Sequence, residues 1–133
     1  MKLFLLMIRL KTPQEIDILR EGGKRHAEIL SILASLVKPG VSTLYLEEET
    51  LRLIEEGGDK PAFLGYRPRF VKRAFPAALC GSINDEIVHG IPNEKPKILK
   101  EGDIVGMDLG IIHKGLITDA AITVPVGKVD DES

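Results

Sequence analysis

The segment IVGMDLGIIHKGLITDAAITV, residues 104–124, carries two apolar runs on either side of His113-Lys114. Runs of this length, rich in isoleucine and valine, predict two antiparallel strands joined by a tight turn. With the turn centred between His113 and Lys114, Asp108 is predicted to lie directly opposite Asp119 on one face, with Cβ atoms roughly 4.5–5.5 Å apart. A three-residue loop with a bulge would change this register.

Two carboxylates facing each other among apolar side chains must be neutralised, because like charges directly opposite destabilise a sheet and a low dielectric strengthens the repulsion. A shared proton, a basic side chain or a divalent cation would each serve. Gly106 and Gly110 flank Asp108 and leave room above it, and a pair of hard oxygen ligands suits a metal ion. The competing interpretation is that one aspartate faces solvent or belongs to a turn. Aspartate is unfavourable inside strands, so two at matching positions favour a functional site.

A long amphipathic helix is predicted before this segment. It starts at the capping box Thr12-Pro13-Gln14-Glu15 and continues to about Lys38, just before Pro39-Gly40. Gly22-Gly23 weakens its middle by roughly 1 kcal/mol per glycine relative to alanine, so tertiary packing must hold that turn.

A second helix is predicted to begin at Ser42 or Thr43 and to end at Gly57-Gly58. It carries three consecutive glutamates, Glu47 to Glu49, near its start, where the helix dipole favours negative charge. This triplet is expected to be a solvated face of the helix and not a metal site.

The remaining elements are predicted to be strands, at residues 77–83, 86–89, 104–112 and 116–124. Two helices followed by strands are typical of an α+β fold in which the helices cover one face of an antiparallel sheet. The basic, aromatic segment at residues 60–73 is predicted to be a loop, and loops of this length are often functional.

The bulk properties describe one globular domain. The chain has 133 residues, of which 44% are hydrophobic and 29% charged, and residues 1–6 are predicted to be an extension of a domain at 7–133. The net charge of −2 gives no broad attraction for nucleic acid or an anionic membrane, although it leaves a local basic patch open, and the apolar run at the start is too short to span a bilayer. Cys80 is the only cysteine, which excludes an intramolecular disulfide and favours a reducing cytoplasm.

Three histidines and the cysteine are the other candidates for chemistry. His89 follows a short predicted strand and precedes a glycine-proline turn, and both a structural and a functional role remain open. His26 lies in a helix and His113 at the hairpin turn, so both are expected to be structural. Cys80 is expected to be packed core or a pocket wall, because no histidine base is identifiable beside it.

Several motifs together carry a family resemblance between about Met7 and Lys128. They are Lys11-Thr-Pro-Gln-Glu15, Val37-Lys-Pro-Gly-Val-Ser-Thr43, Phe63-Leu-Gly-Tyr66, Phe75-Pro-Ala, Cys80-Gly-Ser-Ile-Asn-Asp-Glu-Ile-Val-His-Gly-Ile-Pro92, Leu99-Lys-Glu-Gly-Asp-Ile-Val105 and the two aspartates. In this order they resemble the methionine aminopeptidases of the pita-bread metallopeptidase family. The longer basic stretch at residues 67–73 departs from bacterial relatives and leaves the shape of the pocket rim open.

The resemblance implies a cytosolic enzyme that removes the initiator methionine from nascent chains near the ribosome, with no membrane or direct nucleic-acid partner. It implies one or two divalent ions, such as Mn, Fe, Co or Zn, with Asp108 chelating one and Asp119 bridging both. His89 would hydrogen-bond the scissile amide or the tetrahedral intermediate. Tyr66, Phe75 and Cys80 would line the pocket for the methionine side chain.

The resemblance also implies that this site is incomplete. The family has a second half of similar fold that supplies a histidine and two glutamates as further ligands, and here the chain ends at Ser133. We expect a homodimer or a complementary polypeptide to complete the site, or else an inactive fragment. Two further hypotheses are a binding module without catalysis and a proline-directed aminopeptidase of the same fold.

Overall fold

The computed structural model describes residues 8–132, so the predicted extension at residues 1–6 lies outside the described part of the chain. The architecture is α+β, as predicted. The elements in chain order are α1 (Pro13–Leu36), α2 (Thr43–Glu56), β1 (Lys60–Pro61), β2 (Leu79–Ile83), β3 (Ile104–His113) and β4 (Leu116–Pro125).

Helix α1 begins at the predicted capping box. The backbone N–H of Glu15 donates to the Thr12 hydroxyl at 3.1 Å, and the Thr12 N–H donates to the Glu15 carboxylate at 2.8 Å. In the middle of α1, a Cβ at Gly22 would lie 3.1 Å from the Cβ of His113, so this glycine lets the helix approach the sheet closely. The helix ends at Leu36, slightly before the predicted end, because a residue preceding proline disfavours the helical conformation.

Helix α2 corrects the expectation for its acidic triplet. Glu48 is exposed, but the side chain of Glu47 points inward and the residue is only 2% exposed. The Glu47 carboxylate accepts hydrogen bonds from the N–H groups of Ala78 and Leu79, both at 2.8 Å. Burial raises the pKa of Glu47, and these two hydrogen bonds oppose that shift. Glu47 therefore joins α2 to the start of β2 and is not part of a solvated face.

Strand β3 is the centre of the sheet. Strands β2 and β1 pair antiparallel with successive parts of one edge of β3, and β4 pairs with its other edge. Both helices pack on the face that carries the odd-numbered residues of β3, which are buried. The core contains Ile29, Leu30, Leu33, Leu46, Ile54, Leu79, Val105, Met107, Leu109 and Ile111. The even-numbered residues of β3, including Asp108, face away from the helices.

Two details of the sheet differ from the prediction. Residues 86–89 were expected to be a strand, but they form an irregular segment in which Ile87 and Val88 are exposed. Strand β1 was not predicted, because a two-residue strand containing Pro61 has no recognisable period. The Pro61 ring removes a hydrogen-bond donor, which restricts the strand to this short edge contact.

The register of the β3–β4 hairpin also corrects the prediction. The two turn residues are Lys114 and Gly115, with φ of 47° and 82°, as a type I′ turn requires. His113 remains in β3 and pairs with Leu116. The turn centre is therefore one residue later than predicted, and Asp119 is not the direct partner of Asp108.

Candidate metal centre and adjoining cavity

The two aspartates lie on the open face of the sheet as diagonal neighbours. Asp108 pairs directly with Ala121, and Asp119 pairs directly with Gly110. Diagonal positions on one face are roughly 7–8 Å apart at the backbone, which two aspartate side chains can bridge. The two carboxyl groups are close enough to interact, because Asp119 raises the pKa of the Asp108 carboxyl. The predicted proximity on one face is therefore correct, although the predicted direct opposition is wrong.

Asp108 is the more enclosed member of the pair. Its Oδ1 atom is buried and has no hydrogen-bond partner among residues 8–132, whereas Asp119 is exposed. Burial raises the pKa of the Asp108 carboxyl, and the neighbouring charge of Asp119 raises it further. Within the described residues neither aspartate forms an ion pair with lysine or arginine, and His89 is the one basic side chain there whose charge lowers the pKa of Asp108.

The chemistry of this pair fits a divalent cation. Carboxylate oxygens are hard ligands, and an orphaned buried oxygen beside a second carboxylate is a position where a cation would relieve both desolvation and repulsion. Across residues 8–132 there is no group of three or more histidine, cysteine, aspartate or glutamate side chains that could hold a metal. The described residues therefore supply a two-carboxylate part of a site.

The space above the flanking glycines follows the prediction at Gly106, where an added Cβ would meet only the Ser82 carbonyl oxygen at 3.7 Å, and differs from it at Gly110. Gly110 was expected to leave room for a metal, but a Cβ there would lie 2.9 Å from the Phe63 ring and 3.0 Å from the Cβ of Ala62. The N–H of Ala62 donates to the Gly110 carbonyl at 2.9 Å, which fixes this approach. Gly110 thus admits an aromatic ring beside Asp119. A glycine inside a strand often marks such a close approach, and this signal could have identified Phe63.

Cys80 is the cross-strand partner of Asp108 on the other edge of β3. It is buried, and burial together with the nearby charge of Asp108 raises the pKa of its thiol to about 12. A thiol with so high a pKa is protonated at neutral pH and is a poor nucleophile. Cys80 therefore lies beside Asp108 on the same face of the sheet, where it lines the adjoining cavity.

His89 reaches the same place from the loop after β2. Its backbone is left-handed, with φ of 61°, and its ring contacts Phe75 at a centroid distance of 6.3 Å. The following residue, Gly90, lies against the backbone of Gly81, where an added Cβ would overlap the carbonyl oxygen. Gly90 also donates its N–H to the Ser82 hydroxyl at 3.1 Å, so the loop is folded tightly onto β2.

These residues enclose one cavity of about 530 Å³. The cavity brings together six of the residues predicted from the sequence, with Phe63 as a further aromatic wall whose ring meets Phe75 edge to face at 6.4 Å. The walls are mostly apolar, and both carboxylates belong to the lining. The six predicted residues are Tyr66, Phe75, Cys80, His89, Asp108 and Asp119.

The other two histidines lie on the helix side of the sheet. His26 is buried, and its Nδ1 lies 2.9 Å from the Thr118 hydroxyl, next to Asp119 in β4. His113 lies 2.6 Å from Asp59 through Nδ1 and 3.2 Å from Glu21 through Nε2. The structure thus places both outside the cavity, where they join the hairpin to the helices.

Two helices cover one face of an antiparallel sheet, and the open face bears the two carboxylates. This is the architecture of half a pita-bread fold, which is a fold of metal-dependent hydrolases. The model of metallopeptidase family M24 matches residues 17–133, and the chain belongs to this family.

Known relatives support this assignment. The chain is 49% identical over 128 residues to a methionine aminopeptidase of Aquifex aeolicus and 43% identical over 126 residues to one of Treponema pallidum, with 96% and 95% of this chain covered. It superposes on a methionine aminopeptidase of Thermotoga maritima with a TM-score of 0.84 at 39% identity, and on an aminopeptidase P variant of Escherichia coli with 0.72 at 26%.

The matches cover only part of each relative. The chain spans about half the length of the curated relatives, 49% and 46% for those two bacterial enzymes. It covers 47% of the Thermotoga structure and 25% of the aminopeptidase P structure, while 94% and 91% of this chain are aligned. The family resemblance inferred from the motifs is confirmed. In residues 8–132 no helix has the length and apolar character needed to cross a membrane.

Proposed function

We propose that this chain forms part of a metal-dependent aminopeptidase that removes methionine from the N-terminus of peptides and nascent proteins in the cytoplasm. The observation that carries the proposal is that Asp108 and Asp119 are diagonal neighbours on one sheet face and line the same largely apolar cavity, with one Asp108 oxygen buried and unpartnered within residues 8–132. The identity to methionine aminopeptidases, 49% and 43%, compared with 26% to aminopeptidase P, favours methionine over a proline-directed reaction.

Each part of the cavity has a role in this proposal. Asp108 and Asp119 hold one or two divalent ions, with Mn, Fe, Co and Zn as candidates. A bound ion supplies Lewis-acid polarisation of the scissile carbonyl and lowers the pKa of an attacking water. His89, at the cavity wall beside Phe75, donates a hydrogen bond to the substrate amide.

The apolar walls fit the side chain of methionine. Phe63 and Phe75 present ring edges and faces to the cavity, and a thioether contacts aromatic rings favourably, typically by about 0.3–1.5 kcal/mol. Tyr66 and Cys80 complete this lining. The thiol of Cys80 stays protonated because of its high pKa, so it adds packing surface without adding a charge next to the carboxylates.

The proposal requires further ligands from outside residues 8–132. A complementary half can come from the same protein, from a separate polypeptide or from a second copy of this chain. In the last case, two copies associate head to head and bring four carboxylates to a twofold axis. Equilibrium sedimentation with and without manganese tests that form. A monomer at tens of micromolar in both conditions would exclude the homodimer and leave the other two sources.

Peptide turnover tests the activity itself. The protein, assembled with whatever complement sedimentation or copurification identifies, is incubated with Mn²⁺ and either Met-Ala-Ser or an Xaa-Pro peptide, and free amino acids are measured. We expect methionine release that needs the metal, and loss of that release in Asp108→Asn but not in Asp131→Asn, which removes an exposed carboxylate near the end of the chain. Release from neither peptide, or from the Xaa-Pro peptide alone, would contradict the proposal.

A further inference from the structure

The rim of the cavity is formed by a basic, aromatic loop at residues 66–73, the rim loop, with the sequence YRPRFVKR. Four of its eight residues are cationic and none is acidic, although the whole chain carries a net charge of −2. The rim loop is therefore a local concentration of positive charge on an otherwise weakly acidic chain.

The rim loop is held in a defined shape. At its base, the N–H of Gly65 donates to the carbonyl of Phe75, and the N–H of Phe75 donates to that of Tyr66, both at 2.8 Å. Arg73 forms an ion pair with Glu94. At its tip, the N–H of Val71 donates to the Pro68 carbonyl at 3.0 Å, which closes a turn. The two central residues of that turn, at positions 69 and 70, are exposed and do not line the cavity.

The loop has two edges with different chemistry. Its inner edge, at positions 66, 68, 71 and 73, lines the cavity. Its outer edge carries Arg67, Arg69, Phe70 and Lys72, all exposed, with Phe70 exposed by 95%. Among residues 8–132, none of the three outer-edge cations forms an ion pair. The outer edge therefore exposes an aromatic ring among three cations that have no acidic partner in residues 8–132, and such a surface is suited to binding another molecule.

We propose that this outer edge binds a single-stranded nucleic acid, which departs from the expectation, drawn from the family resemblance, that the chain has no direct nucleic-acid partner. Phosphate groups would pair with Arg67, Arg69 and Lys72, and one base would stack on the ring of Phe70. Cations interleaved with an exposed aromatic are the combination that binds single strands, because the backbone supplies charge and every base has a face that stacks. A peptide of acidic residues alone would neutralise the cations but has no ring to stack on Phe70, whereas every nucleotide carries both a phosphate and a base, so the aromatic tip favours the nucleic acid.

Fluorescence anisotropy with labelled oligouridylate RNA and oligothymidylate DNA of equal length tests this binding over a series of salt concentrations. Three phosphate contacts predict that log K falls with log salt with a slope of about −2, since each contact on a single strand contributes roughly −0.7. The RNA and DNA arms show whether the sugar matters. A stronger RNA signal would assign RNA as the ligand, and equal signals would assign single strands in general.

Two sets of variants separate charge from stacking. The triple variant Arg67→Gln, Arg69→Gln, Lys72→Gln should abolish the salt dependence, whereas Lys24→Gln, Lys38→Gln, Lys128→Gln, which removes three exposed lysines elsewhere, should retain it. Phe70→Leu should weaken binding at least about fivefold, the lower end of the usual stacking contribution, whereas Phe70→Trp should preserve it. Circular dichroism checks that every variant is folded.

Three results would overturn the proposal. One is the absence of binding at low salt. Another is equal loss of binding in the two triple variants, since the attraction would then come from general charge. The last result combines two measurements. If wild type and Phe70→Leu bind the oligonucleotide with equal affinity, and an oligoglutamate peptide at equal charge concentration displaces it, the surface would be assigned to acidic peptides. None of these results bears on peptide turnover.

Discussion

Asp119 lies diagonally across the hairpin from Asp108, two residues before the direct partner Ala121. This offset has a chemical consequence. Directly opposed carboxylates would be held close together by the backbone, whereas diagonal ones meet only at the ends of their side chains. The gap between them is therefore adjustable, and one oxygen of Asp108 remains unpartnered within residues 8–132. A cation bound there would bridge two strands that are already fixed by the sheet.

The first prediction concerns the energetic cost of this pair. Without metal, Asp108→Asn should stabilise the chain by roughly 1 kcal/mol, because the substitution removes a half-buried charge beside another carboxylate. This value includes a reduction for solvent screening, since Asp119 is exposed. Urea unfolding in the presence of a chelator measures this difference. With Mn²⁺ added at a concentration well above the wild-type Kd, the order should reverse, because the wild type gains more free energy of unfolding from binding than the variant does. A destabilised variant in chelator would contradict the prediction.

The second prediction concerns the buried carboxylate of Glu47. Glu47→Gln should lower the free energy of unfolding by about 1–3 kcal/mol. Each carboxylate oxygen accepts from one backbone N–H, of Ala78 or Leu79, and the amide nitrogen of glutamine cannot accept, so one N–H loses its partner. Glu48→Gln, on the exposed side of the same helix, is the matched control and should change stability by less than about 0.5 kcal/mol. Equal effects of the two substitutions in urea unfolding would show that Glu47 makes no special contribution.

The third prediction concerns pH. The hydrogen bonds to Asp59 and Glu21 raise the pKa of His113. Its folded pKa thus exceeds the unfolded value of about 6.5, so the stabilisation is fully present below pH of about 6.5 and is lost as pH rises through the folded pKa. An NMR titration of the His113 ring should give a midpoint above 6.5.

Two variants test the cause of that shift. Asp59→Asn should lower the His113 midpoint, because the aspartate is the main source of the raised pKa. Asp131→Asn removes a carboxylate from the chain without touching this network and should leave the midpoint unchanged. A His113 midpoint at or below that of an exposed histidine in the wild type would contradict the assignment of the hydrogen bonds.

The fourth prediction concerns the loop that carries His89. Gly90→Ala should destabilise the chain by about 1–3 kcal/mol, because the added methyl overlaps the Gly81 carbonyl and the loop must move. Gly23→Ala is the control, since nothing lies within 4 Å of its Cβ position, and it should stabilise α1 by up to about 1 kcal/mol. Urea unfolding measures both, and NMR shifts of His89 and Cys80 should change only in Gly90→Ala. Unchanged shifts in that variant would show that the close approach does not position His89.

Much of the fold could be predicted because local patterns agree with it. The capping box at Thr12 and the two long apolar runs around the turn each have a strong local signal, and the elements they predict are present. The hairpin register could not be fixed in the same way. The register depends on which two residues adopt positive φ, and these are Lys114 and Gly115. His113 stays in β3, where its ring contacts Asp59 and Glu21, and both of these partners are distant in sequence.

The site was predictable to a similar extent. Residue type and spacing identified Asp108 and Asp119, whereas the wall residues Tyr66, Phe75 and Cys80 came from the family resemblance, and the cavity brings all of them together. Glu47 was misjudged because its two neighbouring glutamates suggested a uniform face, and only its distant backbone donors distinguish it. Phe63 was overlooked as a wall because its contact with Gly110 depends on how the chain after α2 meets β3.

The central claim is that Asp108 and Asp119 together hold a divalent cation. An EPR titration of Mn²⁺ with the wild type, Asp108→Asn, Asp119→Asn and Asp131→Asn measures this most directly, because free Mn²⁺ is counted without any need for turnover. We predict that the wild type and Asp131→Asn bind alike and that each of the other two loses at least about tenfold in affinity. Equal binding by all four proteins, or less than a tenth of an equivalent of Mn²⁺ held by the wild type, would contradict the claim.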